Sequence, residues 1–284
     1  MDLSKVFILA LLLGLIFPQA SSSLENYFIL ILGAIMFFSL LDLEFSRRIE
    51  NKNDILFALF LNYIILGGFL IAAGSLFKTS FFQGFVVMAV GPPAVAVIPF
   101  TNVLKGDLRL SMLGVTLAYL SSIVIAPVVI FLVFGETLSY IRLLKTLIEF
   151  IVIPMILAYL ASKTKFGTKI KEKKDNIVVI LMFLLLYTII GINRSSFFRP
   201  EMVYLIIMAF VKTFGFGFGI FYLLKSTALE KRISFALFGS FKNCALLAAI
   251  ALETFGKEAS LCPTIAIPFE IFLFAALGFV VGKK

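Results

Sequence analysis

Four ionisable residues stand inside long apolar runs of this chain: Glu149, Lys212, Lys242 and Glu270. At the centre of a bilayer such a group costs about 2.5–3.5 kcal/mol, so it marks an ion pair, a substrate site or a proton path. Lys242 sits in FGSFKNCALLAAIALETFG, where Gly239-Ser240 and Lys242-Asn243 interrupt a helical pattern. A helix restarting there presents free N–H groups and a positive dipole end. A second interruption, Gly91-Pro92-Pro93, lies in FVVMAVGPPAVAVIPFTNVLKGD. Proline breaks a straight helix but suits the first turn of a new one. Two such helix starts with one ammonium make a centre that attracts anions. The rival reading of Lys242 is an ion pair with Glu270 that ties two neighbouring helices together. Glu149 has Lys145 four residues earlier, which favours a local pair. Lys212 has no partner assigned by spacing.

These residues need a membrane around them. Of 284 residues, 61% are hydrophobic and 14% charged, with mean hydropathy +1.10. A water-soluble domain carries about 25% charged residues. A soluble enzyme, a secreted disulfide scaffold and a disordered chain are excluded. There is no His, so His-ligated metals and His general bases are absent. The two cysteines, Cys244 and Cys262, lie in apolar segments and read as buried thiols, not a disulfide or metal pair. The net charge of +9 reads as cytoplasmic loop charge rather than a nucleic-acid surface. No metal site and no cofactor are expected.

Apolar runs of about 20 residues place ten spans at 3–18, 24–45, 54–77, 80–104, 108–134, 138–161, 175–193, 201–225, 230–255 and 258–282. Lys5 and the stretch Pro18-Gln19-Ala20-Ser21 also describe a secretory signal peptide; the repeat count below favours a retained first span. Alternating the loops puts 17 Lys/Arg on the N-terminal side and 6 on the other. The positive-inside rule then places both termini in the cytoplasm of a multi-pass protein in the plasma membrane. The basic run from Lys163 to Lys174 is a cytoplasmic linker that touches anionic headgroups.

Five spans on each side of residue 137 make two repeats, 1–137 and 138–284. An odd number of spans inverts the second repeat relative to the first, the plan of many secondary transporters. Spans 4 and 9 carry the two interruptions. From break glycine to end glycine they measure 15 residues (Gly91 to Gly106) and 17 residues (Gly239 to Gly256). Interrupted helices at matching positions of two halves point to a transport site at mid-membrane. Gly215, Gly217 and Gly219 imitate a phosphate loop, but no strand precedes them, and they read as helix-packing residues.

The stretches GPPAVAVIPFTNVLKGDLRLS and FGSFKNCALLAAIALETFGKEASLCPTIAIPFEIF resemble the bile acid:sodium symporter family, which is related to arsenite efflux carriers. The resemblance implies an all-α polytopic fold of ten transmembrane helices in two inverted five-helix repeats, with helices 4 and 9 broken and crossing. It implies a panel of spans 1, 2, 6 and 7 and a core of spans 3–5 and 8–10, with the substrate moving between them by alternating access. The family's sodium ligands fall on Val97 and Ile98 after the first break, and on Phe238 and Lys242 around the second. Apolar side chains cannot replace a cation's hydration shell, and an ammonium repels a cation. The usual sodium coupling is therefore not expected; a fixed Lys242 charge, or a proton carried on it, takes the place of the sodium. Pro93 stands where arsenite carriers have a reactive cysteine, which argues against that chemistry. Asn243 matches the family's asparagine, and Glu270 stands where arsenite carriers have an acidic residue.

The sequence thus reads as a transporter, not an enzyme, moving a small organic anion. Its site would comprise Lys242, Asn243, Glu270, Gly239, Ser240, Gly91, Pro92 and Pro93. The alternative is a cation/proton antiporter working on Glu270 or Glu149. Substrate identity and oligomeric state stay open.

Overall fold

The computed structural model describes residues 3–41, 52–135 and 145–282. The described residues are helical, with no strand among them. The chain opens with α1 (Leu3–Ile16) and α2 (Gln19–Glu25), bent by 107° at Pro18, so part of the expected connection between spans 1 and 2 is itself helix. Then come α3 (Phe28–Leu40) and α4 (Lys52–Gly74). The first interrupted unit is α5 (Thr79–Val90) and α6 (Val97–Val103), followed by α7 (Leu108–Phe134). Next are α8 (Lys145–Ser162), α9 (Lys165–Ile192) and α10 (Glu201–Leu223). The second interrupted unit is α11 (Leu229–Phe238) and α12 (Cys244–Phe255), and α13 (Lys257–Gly282) closes the order.

By length and composition, five helices can cross a membrane, or six with the bent α1–α2 pair. Shorter apolar helices occupy Leu30–Leu40, Thr79–Val90, Asn176–Ile192 and Cys244–Phe255. The expected end of span 2 beyond residue 41 and the start of span 6 at 138–144 lie outside the described residues, as do Arg47, Arg48, Arg142, Lys283 and Lys284.

Local chemistry sets the boundaries. Asp107 caps α7 by accepting from Leu110 N–H at 2.9 Å, and Gly135 ends it at φ 62°. Asn243 caps α12 by accepting from Leu246 N–H at 3.2 Å, and Gly256 ends it at φ 97°. Side-chain oxygens at these positions satisfy donors that the first turn leaves open. Helix α5 stops at Gly91, which is extended, because Pro92 and Pro93 offer no N–H to the carbonyls one turn back. Three helices contain π-helical turns, Phe60–Leu66 in α4, Ile148–Val152 in α8 and Val211–Gly215 in α10. Such turns re-aim side chains and occur often at functional sites.

Helices α1, α2, α3 and α8 pack with α9. A second group joins α4 to α5, α5 and α12 to α13, α6 to α7 and α10 to α11. The closest approach of a glycine to another helix's backbone is at Gly84 of α5, where a Cβ would lie 2.2 Å from the Ala259 carbonyl oxygen and 3.0 Å from Cys262 Sγ of α13. Backbone cannot yield there as a side chain can. Gly84→Ala is expected to cost at least about 2–3 kcal/mol of overpacking strain. Its thermal midpoint should fall by several degrees, whereas Gly68→Ala, whose Cβ meets nothing within 4 Å, should leave it unchanged.

Candidate functional site

The two interruptions meet. Asn243 N–H, in the second, donates to the Pro92 carbonyl, in the first, at 2.9 Å. Three charged side chains converge on this crossing: Lys242 and Lys212 are 0% exposed and Glu270 is 6% exposed.

Each charge answers a defect in the backbone. The missing donors begin at Pro93, whose lack of an N–H leaves the Ala89 carbonyl without its helical partner. Lys242 Nζ supplies one, donating to Ala89 O at 3.0 Å, Gly91 O at 2.9 Å and Asn62 Oδ1 at 2.8 Å. It also lies 4.9 Å from the centre of the Tyr63 ring. Three acceptors use all three N–H bonds of an ammonium; a neutral amine has only two. The arrangement matches an ammonium set among oxygens at the negative end of α5. The carbonyls ending α11 are served by Asn62, whose Nδ2 donates to Phe238 O at 2.7 Å and Phe241 O at 3.0 Å. Asn62 thus joins both breaks from the π-helical turn of α4.

The rival sequence reading paired the Lys242 ammonium with Glu270, and the structure shows a different pair. The carboxylate of Glu270 forms its ion pair with Lys212. Its Oε1 also accepts from the Lys242 backbone N–H at 2.9 Å and from Cys244 Sγ at 3.3 Å. The Lys242 side chain instead points back to α5, where the proline-stripped carbonyls attract it. Lys212 reaches Glu270 from the π-helical turn of α10, which spacing could not foresee. Asn243 also differs from a free ligand: its Oδ1 caps α12, while its Nδ2 donates to the Tyr119 hydroxyl and contacts Met36 Sδ at 3.7 Å.

The remaining expected residues are packed around the crossing. Ser240 is buried and donates to Ala236 O at 2.6 Å. A Cβ on Gly91 would lie 2.1 Å from Leu247 Cδ2, and one on Gly239 would lie 2.1 Å from Ile220 Cδ1, so both glycines permit close packing. Val97, Ile98 and Phe238 are buried hydrocarbon. Glu149 lies 3.8 Å from Lys145, and its side chain is 37% exposed, away from the crossing. Cys244 and Cys262 are free, buried thiols. Among the described residues no cluster of three His, Cys, Asp or Glu could hold a metal.

A cavity of about 150 Å³ opens beside the crossing. Its walls come from α3 (Ile35, Ser39), the first break (Ala94 to Ala96), α6 (Phe100), α9 (Val178, Met182), the second break with the start of α12, and α13 (Ile267, Glu270, Ile271). Sequence reasoning missed Asn62, Tyr63 and Tyr119. Asn62 did carry a signal, a lone amide in FALFLNYIILGG.

Apolar helices, two of them broken and crossing over buried charges, define an integral membrane transporter. Its kind follows from comparison: residues 29–199 match the model of the Sodium Bile acid symporter family, more than half of the chain. The chain belongs to that family. The match includes the first break and ends before the second. A search of curated proteins finds no match.

Proposed function

We propose that the chain is a secondary active transporter that moves a small organic anion across the plasma membrane without sodium. The observation that carries this reading is the charge at the crossing. Lys212, Lys242 and Glu270 are buried together and sum to +1; Lys242 and Glu270 line the cavity, and Lys212 is joined to it through its ion pair with Glu270. An unmatched buried charge is costly, so one bound negative charge completes the set. Lys242 stands in for a coupling cation, tethered to the chain by its own stem. It balances the anion and does not touch it. Uniport, or coupling to a proton, follows from this reading.

The helix packing supports a panel of α1, α2, α3, α8 and α9 against a core of α4–α7 and α10–α13, and with it two inverted repeats, 1–137 and 138–284. If both termini are cytoplasmic, the cavity lies toward the cytoplasm. On the opposite side, Val87, Ala126, Ile151 and Leu247 line a space of only about 10 Å³. Lys257 and Glu25, 3.5 Å apart, and Asn193 and Ser260, 3.4 Å apart, bridge panel and core on that side. Such an inward-facing state is one of the two that alternating access requires.

The test is uptake of labelled small monocarboxylates into liposomes containing the purified chain, with choline replacing sodium. Uptake is expected to be unchanged by the replacement. Uptake that strictly needs sodium would overturn the tethered-cation reading. The second reading, cation/proton antiport, rests on the Glu270 carboxylate at the cavity wall. It requires proton movement when a monovalent cation is added without any organic anion.

A further inference from the structure

On the side opposite the cavity, the first turn of α13 is divided between two neighbours. Glu258, Ala259 and Cys262 turn to α5 of the core. Ser80 Oγ donates to Glu258 Oε2 at 2.7 Å, Ala259 rests on Gly84, and Cys262 Sγ donates to Phe81 O at 3.4 Å. Glu258 spends its other oxygen on Arg199, just ahead of α10. Lys257 and Ser260, three residues apart and so on one helix face, turn to the panel. Lys257 Nζ lies 3.5 Å from Glu25 Oε1 of α2, and Asn193 Nδ2, just past α9, donates to Ser260 Oγ at 3.4 Å. The panel is close-packed behind these contacts: a Cβ on Gly191 would lie 2.4 Å from Ser21 Oγ, and one on Gly14 would lie 2.8 Å from Ile190 Cγ2.

Resting on the panel-and-core reading above, we infer that the first turn of α13 is the gate on this side, latched by Lys257 to Glu25 and by Ser260 to Asn193. The latch is built to release. Asn193 Nδ2 also donates to Ile189 O at 2.9 Å, and Ser260 Oγ donates to Lys257 O at 2.7 Å. Both bonds stay within their own stretch of helix and survive when panel and core part. The Lys257 and Glu25 side chains are already 53% and 38% exposed, and return to water. Opening therefore orphans none of these four groups, and the penalty for a buried polar group without a partner does not arise. The contacts of α13 with α5 differ. Backbone seated on Gly84 cannot slide without strain, so α13 moves with the core and the seam opens at the panel. An exposed ion pair shifts an equilibrium by up to about fivefold and weakens with salt. The latch thus biases the chain toward the state seen here without locking it, as alternating access requires.

Thiol labelling of the purified full-length chain tests this. Ala126→Cys reports the narrow space behind the latch and Ser39→Cys reports the open cavity. N-ethylmaleimide labelling is read peptide by peptide, so that Cys244 and Cys262 are counted apart. Glu25→Lys replaces attraction by repulsion. It should raise the rate at Ala126→Cys at least about threefold, while the rate at Ser39→Cys falls or holds. The swap Glu25→Lys/Lys257→Glu should restore both rates. Choline chloride from about 0.01 M to about 1 M shortens the screening length from about 30 Å to about 3 Å. It should speed labelling at Ala126→Cys with the native pair and slow it in Glu25→Lys. Unchanged labelling in Glu25→Lys would overturn the latch and leave the transporter reading standing. Faster labelling at both reporters would mean general loosening, and would overturn the latch together with the two-body motion. A second variant needs neither reporter. In Glu25→Cys/Lys257→Cys an oxidised bridge should stop uptake into liposomes, and reduction should restore it. Undiminished uptake by the fully bridged chain would overturn the gate.

Discussion

Lys242→Ala is expected to lower anion uptake at least tenfold and to make the residual transport depend on an added monovalent cation. The ammonium holds together the Ala89 and Gly91 carbonyls and the Asn62 amide oxygen. Removing it leaves three acceptors converging on an empty space. Each buried unsatisfied group costs about 1–3 kcal/mol. The site charge also falls from +1 to zero, so a bound anion has nothing to balance it. Both losses act on the crossing where the two breaks meet. The vacated space is lined by oxygens at the negative end of α5, and carbonyl oxygens can replace part of an ion's hydration shell. Sodium or ammonium in the medium should therefore restore several-fold of the lost uptake in Lys242→Ala and change nothing in the wild type. The measurement is initial uptake rate against cation concentration for both proteins, with membrane insertion checked separately. Full activity of Lys242→Ala in choline would remove Lys242 from the mechanism.

Why Lys242 was legible and Lys212 was not follows from the chemistry of each position. Glycine, proline and an isolated charge leave local marks, and both breaks fall where those marks predicted, at Gly91–Ala96 and Gly239–Asn243. The apolar runs likewise fixed most helix positions, since burial of about 20 apolar residues dominates any other local preference. The partners of the charges are long-range facts. Lys242 and Asn62 are 180 residues apart in sequence, and Lys212 and Glu270 are 58 apart. Two positive and two negative residues allowed several pairings, and the rival reading of Lys242 took the pair on adjacent spans. The deciding terms were not visible. One is the π-helical turn in α10 that aims Lys212 at α13. The other is the set of proline-stripped carbonyls that draws Lys242 toward α5. The bend at Pro18 escaped for a similar reason: Gln19–Glu25 is polar enough to read as a loop, yet it forms helix against α9.

Lys212→Met should be among the most destabilising single substitutions in the chain, and Glu270→Gln should largely undo it. With Lys212 gone, the Glu270 carboxylate keeps only the Lys242 backbone N–H and the Cys244 thiol as donors. Breaking a buried ion pair by removing one partner costs about 3–5 kcal/mol, because the other charge stays behind without compensation. Glutamine at 270 retains an oxygen for the Lys242 N–H and carries no charge, so Lys212→Met/Glu270→Gln lacks that penalty. A double-mutant cycle on the thermal stability of the purified chain should give a coupling of at least about 2 kcal/mol between positions 212 and 270. The same cycle between Lys242→Ala and Glu270→Gln should give a smaller one, since only the Lys242 backbone touches that carboxylate. The two cycles together discriminate between the pairing seen here and the pairing that sequence proximity suggests. If Glu270→Gln rescued Lys242→Ala and not Lys212→Met, the ammonium of Lys242 would be the true counter-charge. The tethered-cation account of the crossing would then lose its basis, because an ammonium spent on a carboxylate is not available to the carbonyls of α5.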